Sequence, residues 1–465
     1  MARVDPDLFA DLKKLLGPEC LSLEAADLDR HSYDCWPVAV KWQRQERSVM
    51  RPDLVVRPRH QDEVARVLAW ANARGIAVTP WGAGSSVTGA PLAAQGGICL
   101  DLGAMDRTLQ IDPLNHLVRV EAGKLGHHLE GELNDAGFTL NHSPQSLDRS
   151  TVGGWLSTRS SGQFSSRWGN IEDLCLFFVV VLADGRVVET PRTPRAATGP
   201  DMRHFFIGAE GTAGVITEVC LKIFPLPEKR LFETIRFAAL HQGLEAMRCF
   251  MQAGLRPFLV RLYDAEESGH ALRDEEFAAP VLFAGCEGLE RMATPEMAAV
   301  VDICVQCGGE CLGSAPVEAW MQRRFDFSAI EQVLAKPGGL AETIEVAHFW
   351  SALESTYETM KTALEPLADR VLGHFSHVYP QGASLYLILM GTAADDAAAT
   401  REILRIWDVA MAAALRCGAA ISHHHGIGYV RRSFVEPYLG AGFEILRRFK
   451  AAVDPQGIMN PGKLV

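Results

Sequence analysis

Between Gln61 and Arg74 apolar residues fall at 64, 67, 68 and 71, a spacing that predicts a helix, and Gly75 ends it. Short apolar runs flank it. Leu54-Val55-Val56 and Ile76-Ala77-Val78-Thr79 read as strands, so the segment is strand-helix-strand. Further strands are predicted at 98–102, at 117–121 where polar and apolar residues alternate, at 175–182, and from Val215 through Ile223. Ala183-Asp184-Gly185-Arg186 reads as a hairpin turn. Helices are predicted at 8–16 and 125–135. Pro225-Leu226-Pro227 marks a boundary, beyond which helices (242–253, 290–307, 317–325, 351–369, 395–416) mix with strands (258–263, 281–285, 384–390). The last segment, 434–465, returns to a helix and the turn Asp454-Pro455-Gln456-Gly457. Residues 143–172 break the pattern: Ser, Thr, Gly and Arg dominate without periodicity. A stretch of that length inside a compact domain points to a functional segment.

Three domain spans follow: 1–226, 227–430, and 431–465 as a segment returning to the first. The expected class is α+β. With 465 residues, 48% apolar and 22% charged, the chain can bury large cores. Its net charge of −12 and lack of a polybasic run argue against nucleic acid as a partner. No window reaches the ~18–20 apolar residues that span a bilayer. The first residues, Met1 to Asp7, carry no signal-type apolar core. Eleven dispersed cysteines suit a reducing compartment, and a cytoplasmic location is the expectation. The one cysteine cluster, Cys304, Cys307 and Cys311, lacks a fourth ligand. It reads as a helix end running into a glycine turn, with the thiols as small apolar packing.

Two segments carry candidate chemistry. Pro80-Trp81-Gly82-Ala83-Gly84-Ser85-Ser86-Val87-Thr88-Gly89 is rich in glycine and hydroxyls. Backbone N–H groups in such a turn converge on an anion. It is neither a Walker loop nor G-x-G-x-x-G, and alone it is compatible with an ordinary turn. Ser422-His423-His424-His425-Gly426 reads as a strand end, with His423 and His425 on one side and His424 on the other. Metal ligation, structural packing and proton transfer all stay open for it. Arg261, inside the apolar strand 258–262, needs an anionic or polar partner.

The order Pro80-x-Gly82-x-Gly84-x-Ser86, Ser150-Thr151-Val152-Gly153-Gly154, then Gly208-x-Glu210-Gly211-Thr212-x-Gly214-Val215-Ile216-Thr217 resembles the vanillyl-alcohol oxidase (p-cresol methylhydroxylase) type flavoproteins. Leu147 to Gly162, Trp168 to Asp173, Gly269-His270-Ala271-Leu272, Ser376-His377-Val378-Tyr379 and Ser422 to Gly428 narrow the resemblance to alkyldihydroxyacetonephosphate synthases. The resemblance implies a flavin-binding domain of two α/β subdomains and a cap with an antiparallel sheet flanked by helices. It implies non-covalent FAD, since 80–91 holds no His or Cys. The FAD contacts would be Pro80, Gly82, Ala83, Gly84, Ser85, Ser86, Gly89, Ser146, Ser150, Thr151, Gly153, Gly154, Ser157, Ser160, Gly162, Gly169, Ile171, Glu210, Gly211, Gly214 and Ile216. It also implies Tyr379 and His423 to His425 in proton transfer, Arg261, His142 and Arg431 toward substrate, and no metal. The implied reaction exchanges the acyl group of an acyl-dihydroxyacetone phosphate for a fatty alcohol through a flavin N5 adduct. The alternative is a dehydrogenase or oxidase of a 2-hydroxy acid such as D-lactate or glycolate. A small or lipid-like substrate is implied either way. Peripheral membrane contact and a homodimer are compatible with it.

Overall fold

The computed structural model describes residues 6–465, with side chains from residue 8. Met1 to Asp5, most of the segment in which no signal-type core was read, lie outside the described residues. Two small sheets form the amino-terminal lobe. The first is ordered β1 (Leu21–Ser22), β2 (Leu54–Val56), β4 (Ile98–Asp101), β3 (Val78–Trp81), with β2, β4 and β3 parallel. Parallel pairing needs a crossover, which the helix Gln61–Asn72 supplies. The buried face of that helix carries Val64, Val67, Leu68 and Ala71, the positions its periodicity marked.

The second sheet is antiparallel. Its order is β5 (Thr108–Asp112), β6 (Leu117–Glu121), β10 (Val215–Lys222), β8 (Cys175–Val181), β9 (Val187–Glu189). A two-stranded ladder joins β7 (Phe138–Thr139) to β11 (Phe224–Pro225). The chain's end returns here, where Val78 bridges Met459 and donates its N–H to Ile458 O.

Seven antiparallel strands then form one sheet: β15 (Glu310–Gly313), β12 (Lys229–Arg236), β14 (Val281–Gly288), β13 (Leu259–Tyr263), β17 (Arg370–Tyr379), β18 (Gly382–Thr392), β16 (Gly339–Phe349). Helices including Trp350–Leu364 and Asp396–Cys417 pack on it, and they bury Leu353, Met360, Ile406, Trp407 and Met411. The fold is the α+β arrangement of two flavin-type subdomains and a capping antiparallel sheet.

Several expectations are corrected. Residues 143–172 are not structureless. They wind into short helices at Val152–Thr158, Ser165–Trp168 and Ile171–Leu174, too brief to show a 3.6-residue period. Strands β12, β16 and β17 escaped the pattern because polar groups sit inside them, among them the buried Glu342, Glu345, His374 and His377. The histidine triplet is a bent loop rather than a strand end, and His423 and His424 meet through their Nδ1 atoms at 2.8 Å. Cys304 does end a helix that runs to Gln306, followed by the left-handed Gly308.

Candidate active site

A cavity of about 1070 Å³ lies between the amino-terminal lobe and the seven-stranded sheet. On the lobe side it is lined by Pro80 to Ser86, by Ser146, Ser150, Thr151, Gly153, Gly154, Ser157 and Ser160, and by Glu210, Gly211, Gly214 and Ile216. The loop after β3 is shaped by close approach. A Cβ on Gly82 would run into Thr151 Oγ1, and Gly84 sits at φ +69° against the Trp81 ring. Among the described residues the backbone N–H groups of Ala83 to Val87 have no partner, whereas Thr88 N and Gly89 N are bonded to Ser86 Oγ and Asp34 Oδ2. Unpaired backbone N–H groups in a glycine-rich turn that lines a cavity can hold an anion. Thr151 caps the next helix by accepting from Gly154 N at 3.3 Å. The donor set and the glycines fit a dinucleotide pyrophosphate.

Gly82→Ala should therefore weaken flavin binding about ten- to hundredfold, roughly 1.4–3 kcal/mol. Titration of the apoprotein with flavin checks it, and the apoprotein's melting temperature should fall modestly as well, because the added methyl group displaces the helix-capping Thr151 Oγ1.

Four residues expected to touch the cofactor do not line the cavity. Gly89 holds Asp34, Gly162 packs against the Ser143 backbone, Gly169 turns the chain at φ +89°, and Ile171 is fully buried. They shape the cradle from behind. Glu210 lines the cavity, but its carboxylate accepts from Ile427 N and from Gly428 N at 2.7 Å, tying the histidine loop to the lobe.

The opposite wall is one face of the sheet. Alternation puts Tyr386, Ile388 and Met390 of β18, Leu372 and His374 of β17, Ala341 and Thr343 of β16, and Arg261 and Tyr263 of β13 on it. Glu345, also on that side of β16, is fully buried beneath the histidine loop. Its carboxylate accepts from Ser422 Oγ at 2.9 Å, from the backbone N–H groups of His423 and His425, and from Arg431 Nη1 at 2.7 Å. Burial pushes Glu345 up, but Arg431, then His425 and His423, hold it down at about 2. Arg431 is itself fully buried, 4.6 Å over the Trp407 ring, and binds Glu345 and Gly426 O rather than facing the cavity. The substrate contact expected of it is corrected.

Tyr386 Oη bonds His424 Nε2, His424 Nδ1 meets His423 Nδ1, and His423 Nε2 lies 2.8 Å from Tyr379 Oη. Asn170 Nδ2 donates to Tyr379 Oη at 3.0 Å. These contacts make one chain from cavity to interior. Tyr386 and His424 line the cavity, whereas Tyr379 and His423 lie behind. Tyr386 was missed by the sequence reading, which chose Tyr379. The sequence held only a partial signal: Ser384 and Tyr386 are the polar positions of the predicted strand 384–390, on one side of it. Burial lowers His423 and His425 to about 4 and His424 well below its ordinary value, so the imidazoles are neutral near pH 7. Burial likewise raises Tyr386, which rests as the phenol.

Arg261 reaches the cavity from β13, and its Nη2 donates to His374 Nε2 at 2.7 Å. Beside it on the wall stand His270, Arg323 and Arg324. His142 does not reach this wall: it is buried, its Nε2 is 2.8 Å from Ser160 Oγ, and burial depresses it to about 3. A direct substrate contact for His142 is corrected to support of Ser160. Among the described residues no group of three His, Cys, Asp or Glu side chains is arranged to hold a metal ion, and no helix is long and apolar enough to cross a membrane.

Comparison with known proteins gives the family. Residues 52–191 match an FAD binding domain, and residues 226–464 match the C-terminal domain of FAD linked oxidases. The chain is similar to alkyldihydroxyacetonephosphate synthase of Trypanosoma brucei brucei, 28% identical over 98% of this chain and 80% of that one. An uncharacterized FAD-linked oxidoreductase, YgcU, of Escherichia coli (strain K12) is 33% identical over 89% of each chain. The mitochondrial D-lactate dehydrogenase [cytochrome] of Arabidopsis thaliana is 28% identical over 90% of this chain and 74% of its own. Among solved structures, an alkyldihydroxyacetonephosphate synthase superposes with TM-score 0.81 at 24% identity, covering 99% of this chain and 85% of that one. Substrate-bound p-cresol methylhydroxylase superposes with 0.83 at 17%, covering 99% and 97%.

Proposed function

Since the chain belongs to the FAD-linked oxidases and is an FAD-dependent enzyme, we propose that its reaction is that of a synthase of ether lipids. The acyl group of an acyl-dihydroxyacetone phosphate is exchanged for a fatty alcohol. The observation that carries the reading is the cavity wall. Its polar end holds Arg261, Tyr386 and His424. Two to four residues along β18, about 7–13 Å at strand rise, it is mostly apolar: Ile388, Leu372, Met390 and Ala341 with Thr343 among them, and Ile330 and Leu334 of the helix Ser328–Ala335 also line it. An anionic head with a long apolar tail matches that polarity, and a two- or three-carbon acid leaves the apolar end unused.

FAD would be held by the loop at Pro80–Ser86 and the helix start at Thr151–Gly154, and would supply an electron sink for the carbon that loses its α-hydrogen. Tyr386 Oη takes that proton as it gives its own to His424 Nε2. His424 Nδ1 then donates to His423 Nδ1, and His423 Nε2 donates toward Tyr379 Oη. The extra proton rests on His423, whose charged form the buried carboxylate of Glu345 favours. Arg261 holds the anionic group, and Tyr379 with Asn170 terminates the relay.

A second reading is supported by the similarity to D-lactate dehydrogenase: Arg261 would hold a carboxylate, and Tyr386 or His424 would take the hydroxyl proton. Anaerobic mixing separates the two. An acyl-dihydroxyacetone phosphate with hexadecanol is expected to give ether product while the flavin stays oxidised. Rapid bleaching by D-lactate or glycolate, with no ether product, would overturn the synthase reading.

A further inference from the structure

Behind Arg261 stands a buried chain that the proton relay does not use. Arg261 Nη2 donates to His374 Nε2 at 2.7 Å, and His374 Nδ1 lies 2.8 Å from Glu267 Oε2. A guanidinium can only donate. His374 Nε2 therefore accepts, its Nδ1 carries the hydrogen, and Glu267 Oε2 accepts it in either charge state of the carboxyl. With Glu267 ionised the three groups sum to zero charge: one positive, one neutral, one negative. His374 is 2% exposed and Glu267 3%, and Glu267 itself lines the cavity.

We propose that Glu267 is the proton counterweight of the Arg261 anion seat: when an oxyanion head binds Arg261, Glu267 takes up one proton. This rests on the Arg261 contact of the proposed function and adds the charge state of that site. An arriving anion adds a negative charge to the buried chain, which is costly away from water, and the other cations of the wall, Arg323 and Arg324, are engaged by the carbonyl oxygens of Ala271 and Met321. A proton on Glu267 Oε1 restores neutrality while Oε2 still accepts from His374, so the Arg261–His374 bond need not break. Most groups around the pair are not free to do this, and the exposed His270 is the one competing acceptor the test has to separate. Asp264, at the start of the helix Ala265–Leu272, is engaged by Tyr357 Oη at 2.7 Å, Lys361 Nζ at 3.1 Å and Glu267 N at 2.8 Å. Glu266 is exposed and pairs with Lys361, and His270 is exposed. His377 and His424 are held neutral by burial, and Tyr263 and Tyr386 are held as phenols by it. Burial raises Glu267 to about 7, within reach of such a change, while burial and Arg261 keep His374 well below its ordinary value.

The test uses the flavin-loaded enzyme and two anions that do not titrate between pH 6 and 9: sulfate, which mimics a phosphate head, and octanoate, a carboxylate head. Binding is followed by calorimetry in buffers of different ionisation enthalpy, and the proton count is read for each anion separately. Wild type is expected to take up about one proton per anion at pH 8. Its Kd should rise about tenfold per pH unit above 7. Glu267→Gln should take up none, show a flat Kd, and bind about tenfold tighter than wild type at pH 8. A merely structural Glu267 would instead weaken binding at every pH. If that variant does not fold, the proton count of His270→Gln decides: uptake that persists assigns the proton to Glu267, and uptake that disappears overturns the counterweight. Binding that is lost in Arg261→Met yet shows no proton uptake overturns the counterweight and leaves the seat intact. Binding indifferent to Arg261→Met overturns the seat and the proposal together.

Discussion

Tyr386→Phe is expected to lower turnover by about 10²- to 10⁴-fold, the range a positioned acid–base group contributes. Removing one oxygen takes away the only relay atom that is both on the cavity wall and bonded to an imidazole of the loop. The ring stays, stacked at 4.5 Å on His374, so the fold and the flavin cradle should be unaffected. Flavin affinity and melting temperature are therefore controls that should match wild type. Tyr379→Phe is the contrasting variant. Its hydroxyl terminates the relay behind His423, about two imidazoles from the cavity, and its loss should cost on the order of tenfold or less. Steady-state kinetics of both variants on one substrate checks the ranking. If Tyr379→Phe were the more damaging, proton transfer would enter from the Asn170 side and the cavity would have been misread.

That contrast also marks how far the sequence could be read. The flavin lobe was legible because its elements obey simple periods. The helix Gln61–Asn72 and the strands around it carry apolar residues where helix and strand spacing require them, and glycines sit at the loop that must approach a ligand closely. The cap was legible in its helices and less so in its sheet. Strand β16 reads Gly-Leu-Ala-Glu-Thr-Ile-Glu-Val-Ala-His-Phe, in which two buried glutamates interrupt the apolar pattern. Those residues are there for the site: Glu345 anchors the histidine loop, and Glu342 accepts from Trp407 Nε1 at 2.8 Å. A site built into a sheet thus disguises the strands that form it. Tyr386 and Tyr379 show the same limit. Both are tyrosines at strand positions, and only the register of β17 against β18, with His374 opposite Tyr386, shows which faces the cavity. Arg431 misled for another reason. An arginine beside a histidine triplet looks like an anion contact, and what fixes its role is a carboxylate 86 residues away in sequence.

That carboxylate carries the largest expected effect on stability. Glu345 and Arg431 are both fully buried, and removing one charge leaves the other without compensation. Such losses cost about 3–5 kcal/mol. Glu345→Gln should thus lower the melting temperature by on the order of 10 °C. It should also loosen the backbone of His423 and His425, so turnover falls with stability. The sign of the pH dependence follows from the shift. The folded carboxyl sits at about 2 against an ordinary 4.5, so its contribution is fully present above 4.5 and fades as pH falls toward 2. Melting temperatures of wild type and Glu345→Gln should be far apart at pH 7 and converge in acid. The double variant Glu345→Gln/Arg431→Met should recover part of the loss, because no buried charge is left unpaired. If the double variant were less stable than either single one, the pair would act through separate contacts, and the histidine loop would be held by Glu210 alone.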